Sequence, residues 1–382
     1  MSVWDSLVGQ KPVIDMLSRI AQATRARSPS RADLWTSRIG PFQHGSCVCG
    51  GAGKPDHGMS AEPTRVTQQV LAGTHPDVTV LTTNKVTIGI DQVREIITTS
   101  EQMPATAPWR IIIIEDVDRM LERTTNVLLK EIEEPAEHCI WLLCAPSAQD
   151  VLPTIRSRTR IVNLAVPSTQ AVAGFLTSTT NVEPKVAQRA ARLAEGHIGI
   201  AKLYATDERV MSDRDELVVG VLNLARASDA VLLAGNLIDN AKAQAEADAN
   251  RITAGQEAEF RRINGLAPSD RIPPKLRGAF NQIAKKDDVK RLVTRRTRDV
   301  LDRALNSIAS IYRDVAVLQN NAEDSVGLIN LENRSSITEL SVRLNRAGAV
   351  TRLDEVAHAR KRLAGNGNPL LVFESLFCAL IP

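Results

Sequence analysis

The period of the apolar positions changes along this chain, and its clearest block is Ile111 to Ile114, four consecutive β-branched residues. A short, wholly apolar run predicts a strand buried on both faces of a parallel sheet. Glu115, Asp116 and Asp118 follow at its carboxyl end, the edge where ligands sit in open α/β sheets. The period then lengthens to that of an amphipathic helix over about 124–134, stopped by Pro135. Residues 139–144 predict a second buried strand, and 160–164, beyond Ser157-Arg158-Thr159, one more. Strand, acidic edge, helix, strand, helix and strand in that order predict the core of a nucleotide-binding domain.

Upstream, Val13, Leu17 and Ile20 lie at helical spacing behind Asp5 or Ser6 as caps, and predict an amphipathic helix. Residues 28–66 break the pattern. They show no helical or strand period, and Gly, Pro, Ser and His accumulate there. So long a structureless stretch is anomalous inside a compact domain. Regular pattern returns at Thr67, with a turn at Thr74-His75-Pro76, a strand over 78–81 and a helix over 88–99 capped near Asp91. Pro167 and Ser168 mark a boundary, followed by short helices over 169–178 and 184–194 and a turn at Gly196-His197-Ile198-Gly199. Beyond about residue 208 the chain is almost wholly helix-forming, with long helices over 212–228, 229–262 and 275–320 and a Pro-rich joint at 265–274. The last segment, 369–380, is apolar at helical spacing and predicts a docked C-terminal helix.

Composition bounds this picture without redirecting it. A chain of 382 residues suits two or three domains. With aromatics at 3%, its cores must be aliphatic. A net charge of +3 means that any nucleic-acid contact has to come from local patches. No secretory signal and no apolar run near the ~20 residues of a membrane span is visible, so no membrane contact and a cytoplasmic setting are the expectation. Five unevenly spread cysteines do not make a disulfide framework. Cys139, Cys144 and Cys378 lie in apolar runs and read as core residues. The basic run from Lys285 to Arg298 is interleaved with Asp287, Asp288 and Asp299 and lacks aromatics for base stacking. It reads as a solvated helix face or a subunit contact. Gly50-Gly51-Ala52-Gly53-Lys54 looks like a fragment of a phosphate loop, but Pro55 stands where Ser or Thr is needed for Mg²⁺.

Several longer stretches resemble one family. They are Leu7-Val8-Gly9-Gln10, Gly73-Thr74-His75-Pro76-Asp77, Glu115-Asp116-Val117-Asp118, Asn126-Val127-Leu128-Leu129-Lys130 with Glu133-Glu134-Pro135, and Ile155-Arg156-Ser157-Arg158. Together they resemble the delta-prime subunits of the bacterial DNA polymerase III clamp loader, in their actinobacterial form. The resemblance covers almost the whole chain except about 28–66. It implies a fold of three parts: an α/β AAA+ base with a parallel sheet and flanking helices (1–167), a small helical lid (168–208) and an all-α collar that joins a pentameric ring (209–382). It further implies a non-catalytic subunit of the DNA polymerase III holoenzyme, a nucleotidyltransferase. Its partners would be the ATP- and Mg²⁺-binding motor subunits, the delta subunit, the sliding clamp and primed DNA.

The site chemistry fits that role in part. Motor subunits of the family end this strand in Asp-Glu, and here the matching Walker B pair is reversed, Glu115 then Asp116. Where they carry a lid arginine, the matching turn has Gly199. No nucleotide-binding residues and no ATP turnover by this chain are therefore expected. Arg158 matches the family's trans arginine finger, although Thr159 replaces the usual cysteine. The alternative is a surface arginine that caps a helix end. The family's four-cysteine zinc module has no counterpart beyond Cys47 and Cys49, with His44 and His57 nearby, so no metal is expected. Read one base later, the codons open to residues 35–42 can encode Gly-Pro-Pro-Gly-Ser-Gly-Arg-Ser, a phosphate loop of the family's kind. Residues 28–66 are accordingly read as out of frame, with the zinc ligands lost with the frame and the base lacking a strand and helix. Two other functions stand beside this one: an independent AAA+ ATPase acting on nucleic acid, and a frameshift-damaged product.

Overall fold

The computed structural model describes residues 8–15, 31–36, 65–83, 87–283 and 285–382. They fall in two compact units, Met1–Thr206 and Asp207–Pro382.

The first unit is built on five parallel strands: β1 (Arg31–Thr36), β2 (Val78–Leu81), β3 (Arg110–Ile114), β4 (Cys139–Ala145) and β5 (Arg160–Asn163). Their order across the sheet is β2-β3-β4-β1-β5. All five residues of β3 are buried, as expected of a strand covered on both faces. Ile112 and Ile114 pack with Leu128, Ile132 and Trp141 on one face. Ile111 and Ile113 pack with Val13, Val70, Leu142 and Cys144 on the other.

β1 corrects the expectation that residues 28–66 hold no strand. It pairs along all six residues with β4, Arg31 opposite Ile140 through Thr36 opposite Ala145, and over four with β5. A central strand is specified by backbone pairing on both sides, so a segment without hydrophobic alternation can take its register from its neighbours. The base therefore has the strand it was expected to lack.

Helices α1 (Arg65–Leu71), α2 (Ile90–Ser100), α3 (Glu122–Glu133) and α4 (Pro153–Arg156) join the strands. The residue before α2 is Gly89, whose N–H donates to Gln92 Oε1 (3.2 Å), and Asp91 lies inside the first turn instead of capping it. Asp77, ahead of β2, is fully buried and organises the loop that enters β3. Its carboxylate accepts from the N–H groups of Ala105, Thr106 and Ala107 (2.6, 2.7 and 2.8 Å) and from Thr106 Oγ1 (2.8 Å). Arg110 lies 3.7 Å away and donates to Gln102 O and Met103 O (2.9 Å each).

After β5 the unit continues into α5 (Thr169–Thr179, capped by Ser168), α6 (Pro184–Leu193) and α7 (Ile198–Thr206). Two glycines shape the junction. Gly9 has φ +74° and Gly196 φ +88°, a region that side chains rarely enter. A Cβ on Gly9 would stand 2.9 Å from Pro167 Cβ, and one on Gly196 only 2.4 Å from Val166 Cγ1. Buried Gln10 closes the same junction: its Nε2 donates to Ala165 O (2.6 Å) and its Oε1 accepts from Ala165 N (3.0 Å). The motif Val8-Gly9-Gln10 thus holds the segment between β5 and α5.

The second unit is helical throughout: α8 (Glu208–Leu222), α9 (Ala227–Ile263), α10 (Arg277–Ile283), α11 (Lys286–Gln319), α12 (Glu323–Val326), α13 (Arg334–Arg343), α14 (Arg346–Ala364) and α15 (Pro369–Leu380). The helix expected over 275–320 is two helices, α10 and α11, with the break between Ile283 and Lys286, and Pro273 and Pro274 set a short 3₁₀ turn ahead of α10. Ala230, Ala234, Ile238 and Ala241 recur every three or four residues on α9 and let it approach Leu305, Ile308 and Tyr312 of α11 closely. Phe373 and Phe377 of α15 complete this core. Cys378 is exposed, not core as expected, because it lies one residue past the face of α15 that carries Phe373 and Phe377.

Candidate functional site

The carboxyl edge of the sheet carries the acidic residues. From β1 the chain moves toward β2 on one side, and from β4 toward β5 on the other. Adjacent strands whose connections leave in opposite directions define the switch point at which open α/β sheets bind ligands. Glu115 and Asp116 follow β3 one strand away from it, at the level of Cys144 and Ala145 of β4. Asp116 adopts a left-handed conformation (φ 53°) that turns the chain into the 3₁₀ turn Val117–Arg119, and its Oδ2 lies 3.6 Å from Arg119 Nε. Asp118 Oδ1 is buried and accepts no hydrogen bond among the described residues. Burial, then the charge of Asp116, holds the Asp118 carboxyl above the usual carboxylate range. Beneath this edge, burial pushes the Cys144 thiol up to about 12, with Glu115 and Asp116 adding to it. Cys139 is likewise raised to about 12 by burial, so both thiols are inert core groups.

Arg158 sits elsewhere. It precedes β5, at the amino edge of the sheet, and three strand spacings, about 14 Å, separate the lines of β5 and β3. It follows the short helix α4, whose first residue, Pro153, is suited to a helix start. Exposed Arg158 forms an ion pair with Glu133, the last residue of α3, and Nη1 also donates to Thr154 O (3.0 Å) and Ser157 Oγ (3.3 Å). Ser157 Oγ donates to Thr154 O (3.2 Å) and Thr159 Oγ1 to Ile155 O (3.1 Å). The turn Ser157-Arg158-Thr159 therefore satisfies the terminal carbonyls of α4 with its own side chains. The partnership with Glu133 is not legible in the sequence, because 25 residues separate the two and no local spacing signals it.

The structure does not bring Arg158 together with Glu115 and Asp116. Gly199 is the second residue of α7, and a Cβ there would meet His197 Cε1 at 3.3 Å. The fragment from Gly50 to Lys54 and the cysteine and histidine set of Cys47, Cys49, His44 and His57 lie outside the described residues. Among those described, no group of His, Cys, Asp and Glu is arranged to hold a metal ion, and no helix is long and apolar enough to cross a membrane.

A parallel sheet of order β2-β3-β4-β1-β5 with flanking helices, an acidic carboxyl edge and helical additions defines an α/β protein of the doubly wound class. Within that class, residues 47–168 match the family model described as DNA polymerase III, delta subunit. The DNA polymerase III subunit delta′ of Haemophilus influenzae is 35% identical over 113 residues, 29% of this chain and 35% of that protein. Its counterpart from Escherichia coli is 29% identical over 150 residues, 39% of this chain and 45% of that protein. The resemblance to delta-prime subunits is thereby borne out, while the chain spans less than half the length of these relatives. A solved gamma subunit-related protein from Thermotoga maritima aligns over 96% of this chain and 98% of its own at 18% identity, with a TM-score of 0.40. The family match starts at residue 47, inside the stretch read as out of frame.

Proposed function

We propose that this chain is a non-motor subunit of a bacterial DNA polymerase III clamp loader, which helps the ATP-driven loading of a sliding clamp on primed DNA in the cytoplasm. In this role it turns over no ATP itself and supplies Arg158 in trans to the ATP site of a neighbouring motor subunit. ATP and Mg²⁺ belong to the motor subunits, and this chain holds no zinc. The observation that carries the proposal is the separation of the two kinds of site residue. Glu115 and Asp116 follow the carboxyl end of β3, whereas Arg158 precedes the amino end of β5. An arginine on the opposite edge cannot reach charge developing at its own chain's acidic edge, but it is free to face a neighbour's. The reversed order of Glu115 and Asp116 supports the absence of turnover, since one carboxylate must hold the metal and the other orient water.

The test is ATP turnover by the chain alone and by a ring reconstituted with motor and delta subunits, clamp and primed DNA. The chain alone is expected to be inactive. Arg158→Ala should still assemble but lower turnover at the adjoining site by about 10³-fold or more, the usual weight of a trans arginine. Turnover by the chain alone would favour an independent ATPase. Unchanged ring turnover with Arg158→Ala would remove the trans role.

A further inference from the structure

Read along the sequence, the basic run beginning at Lys285 is a solvated helix face or a subunit contact, and the structure places it on an exposed hairpin. Helices α9 and α11 fold back on each other, with Arg303 Nη2 donating to Gln244 Oε1 (2.6 Å) across them. Ala249 is the last buried residue of α9, and Leu301 is the first of α11. Between them, over residues 250–300, no described residue is buried. At 1.5 Å per residue, this hairpin extends roughly 20 Å beyond the unit's core.

The hairpin is ordered by contacts of its own. Phe260 and Phe280 meet edge-on with centroids 5.6 Å apart, and the Arg261 guanidinium lies 5.5 Å over Phe280. Arg261 also donates to Asp270 O (2.8 Å), while Asp270 accepts from Ala267 N (2.7 Å).

Residues 251–300 carry thirteen Lys and Arg against six Asp and Glu, a net +7 in a chain whose total is +3. Four of the arginines are matched to an acid one helical turn away: Arg251 with Asp248, Arg262 with Glu259, Arg291 with Asp288 and Arg296 with Asp299. Arg271, Lys275, Arg277, Lys285 and Lys290, all exposed, have no such partner among the described residues and cluster toward the tip. We propose that this hairpin is a docking arm for the phosphate backbone of duplex DNA.

Charge complementarity carries the proposal, and three features select duplex DNA. A 20 Å face spans roughly twelve phosphate charges of a duplex, enough to engage every unmatched cation. Single strands are gripped by stacking bases on aromatic rings, and both phenylalanines of the arm are engaged with each other. An acidic protein partner would need an apolar centre to its interface, and Ile263 is the only large exposed hydrophobic residue among those described in 251–300.

Fluorescence anisotropy of the full chain with a labelled 30-base-pair duplex of arbitrary sequence, across 50–300 mM KCl, tests the arm. Log-affinity should fall linearly with log salt, at a slope of about −0.9 per phosphate contacted. The triple variant Lys275→Gln, Lys285→Gln, Lys290→Gln should lower that slope by about 3 units and weaken binding at least about tenfold at 100 mM salt. Its helicity and melting should stay unchanged, since all three side chains are exposed. Neutralising exposed Arg123, Lys185 and Lys202 in the first unit should leave binding unaltered. Absence of duplex binding at 50 mM salt, or an unchanged slope in the triple variant, overturns the proposal. So does a preference for single-stranded DNA over duplex, or for polyglutamate, which would assign the arm to an acidic protein. The isolated chain suffices, so failure here is separable from failure of the clamp-loader role.

Discussion

Asp77 offers a severe test of the argument that a single buried carboxylate holds the entry to the central strand. Its side chain is fully buried and accepts four hydrogen bonds from Ala105, Thr106 and Ala107, with Arg110 beside it. Burial raises its pKa, but the hydrogen bonds outweigh burial and take it from 3.8 down to about 2. A fall of nearly two pH units, at 1.36 kcal/mol each, corresponds to about 2.5 kcal/mol favouring the ionised folded state. Because the folded value is depressed, this stability is present above the unfolded value of 3.8 and is lost as pH falls through about 2. Asp77→Asn should therefore cost about 2–3 kcal/mol at pH 7. Asp77→Ala, which leaves three N–H groups without their acceptor and Arg110 without its counter-charge, should cost about 3–5 kcal/mol. All four tryptophans, Trp4, Trp35, Trp109 and Trp141, belong to the first unit, so urea titration followed by tryptophan fluorescence reads this unit alone. The gap between the native chain and the Asn variant should narrow from pH 4 and nearly close by pH 2. A gap under about 0.5 kcal/mol at pH 7, or one independent of pH, would refute the reasoning.

Three further outcomes are expected. Gly196→Ala forces a Cβ to within 2.4 Å of Val166 at a positive φ, and should destabilise the first unit by about 1–3 kcal/mol in the same titration. In the second unit, fully buried Asp314 accepts from Ile329 N, Asn330 N and Asn330 Nδ2 (2.8–3.0 Å). Asp314→Ala should lower that unit's stability by about 3–5 kcal/mol, read by far-UV circular dichroism with tryptophan fluorescence unmoved. Glu133→Gln removes only a part-exposed ion pair, and its urea midpoint should correspond to a loss below about 1 kcal/mol.

Much of the first unit was legible because its signals are local. The run Ile111 to Ile114 marked β3, Pro135 marked the end of α3, and the acidic residues marked the carboxyl edge. β1 escaped because its register comes from β4, about a hundred residues downstream, and not from a pattern of its own. Cys378 was misread because an apolar run says nothing of which face its minor members occupy. The arm was half legible: its charges were visible, but its lack of buried residues is a tertiary property. Of the candidate site, the residues Glu115, Asp116 and Arg158 could be picked out by motif. Their separation could not, since it depends on β5 lying three strands from β3.

That separation, with the partner of Arg158, bears on how a surface arginine could serve another chain. On the proposed function, Arg158 must leave Glu133 when a phosphate approaches. Both side chains are partly exposed, 38% for Arg158 and 45% for Glu133. A pair this wet is worth at most about 1 kcal/mol. A trans arginine that accelerates phosphoryl transfer by 10³–10⁵ contributes about 4–7 kcal/mol at the transition state. The pair is thus several-fold too weak to hold Arg158 back. It is strong enough to keep the guanidinium oriented by Glu133 and Thr154 before the neighbour arrives. A buried pair would reverse this balance, since breaking one costs about 3–5 kcal/mol, comparable to what the finger returns. On the proposed function, the exposure of Glu133 is therefore what would make Arg158 available to a neighbouring subunit.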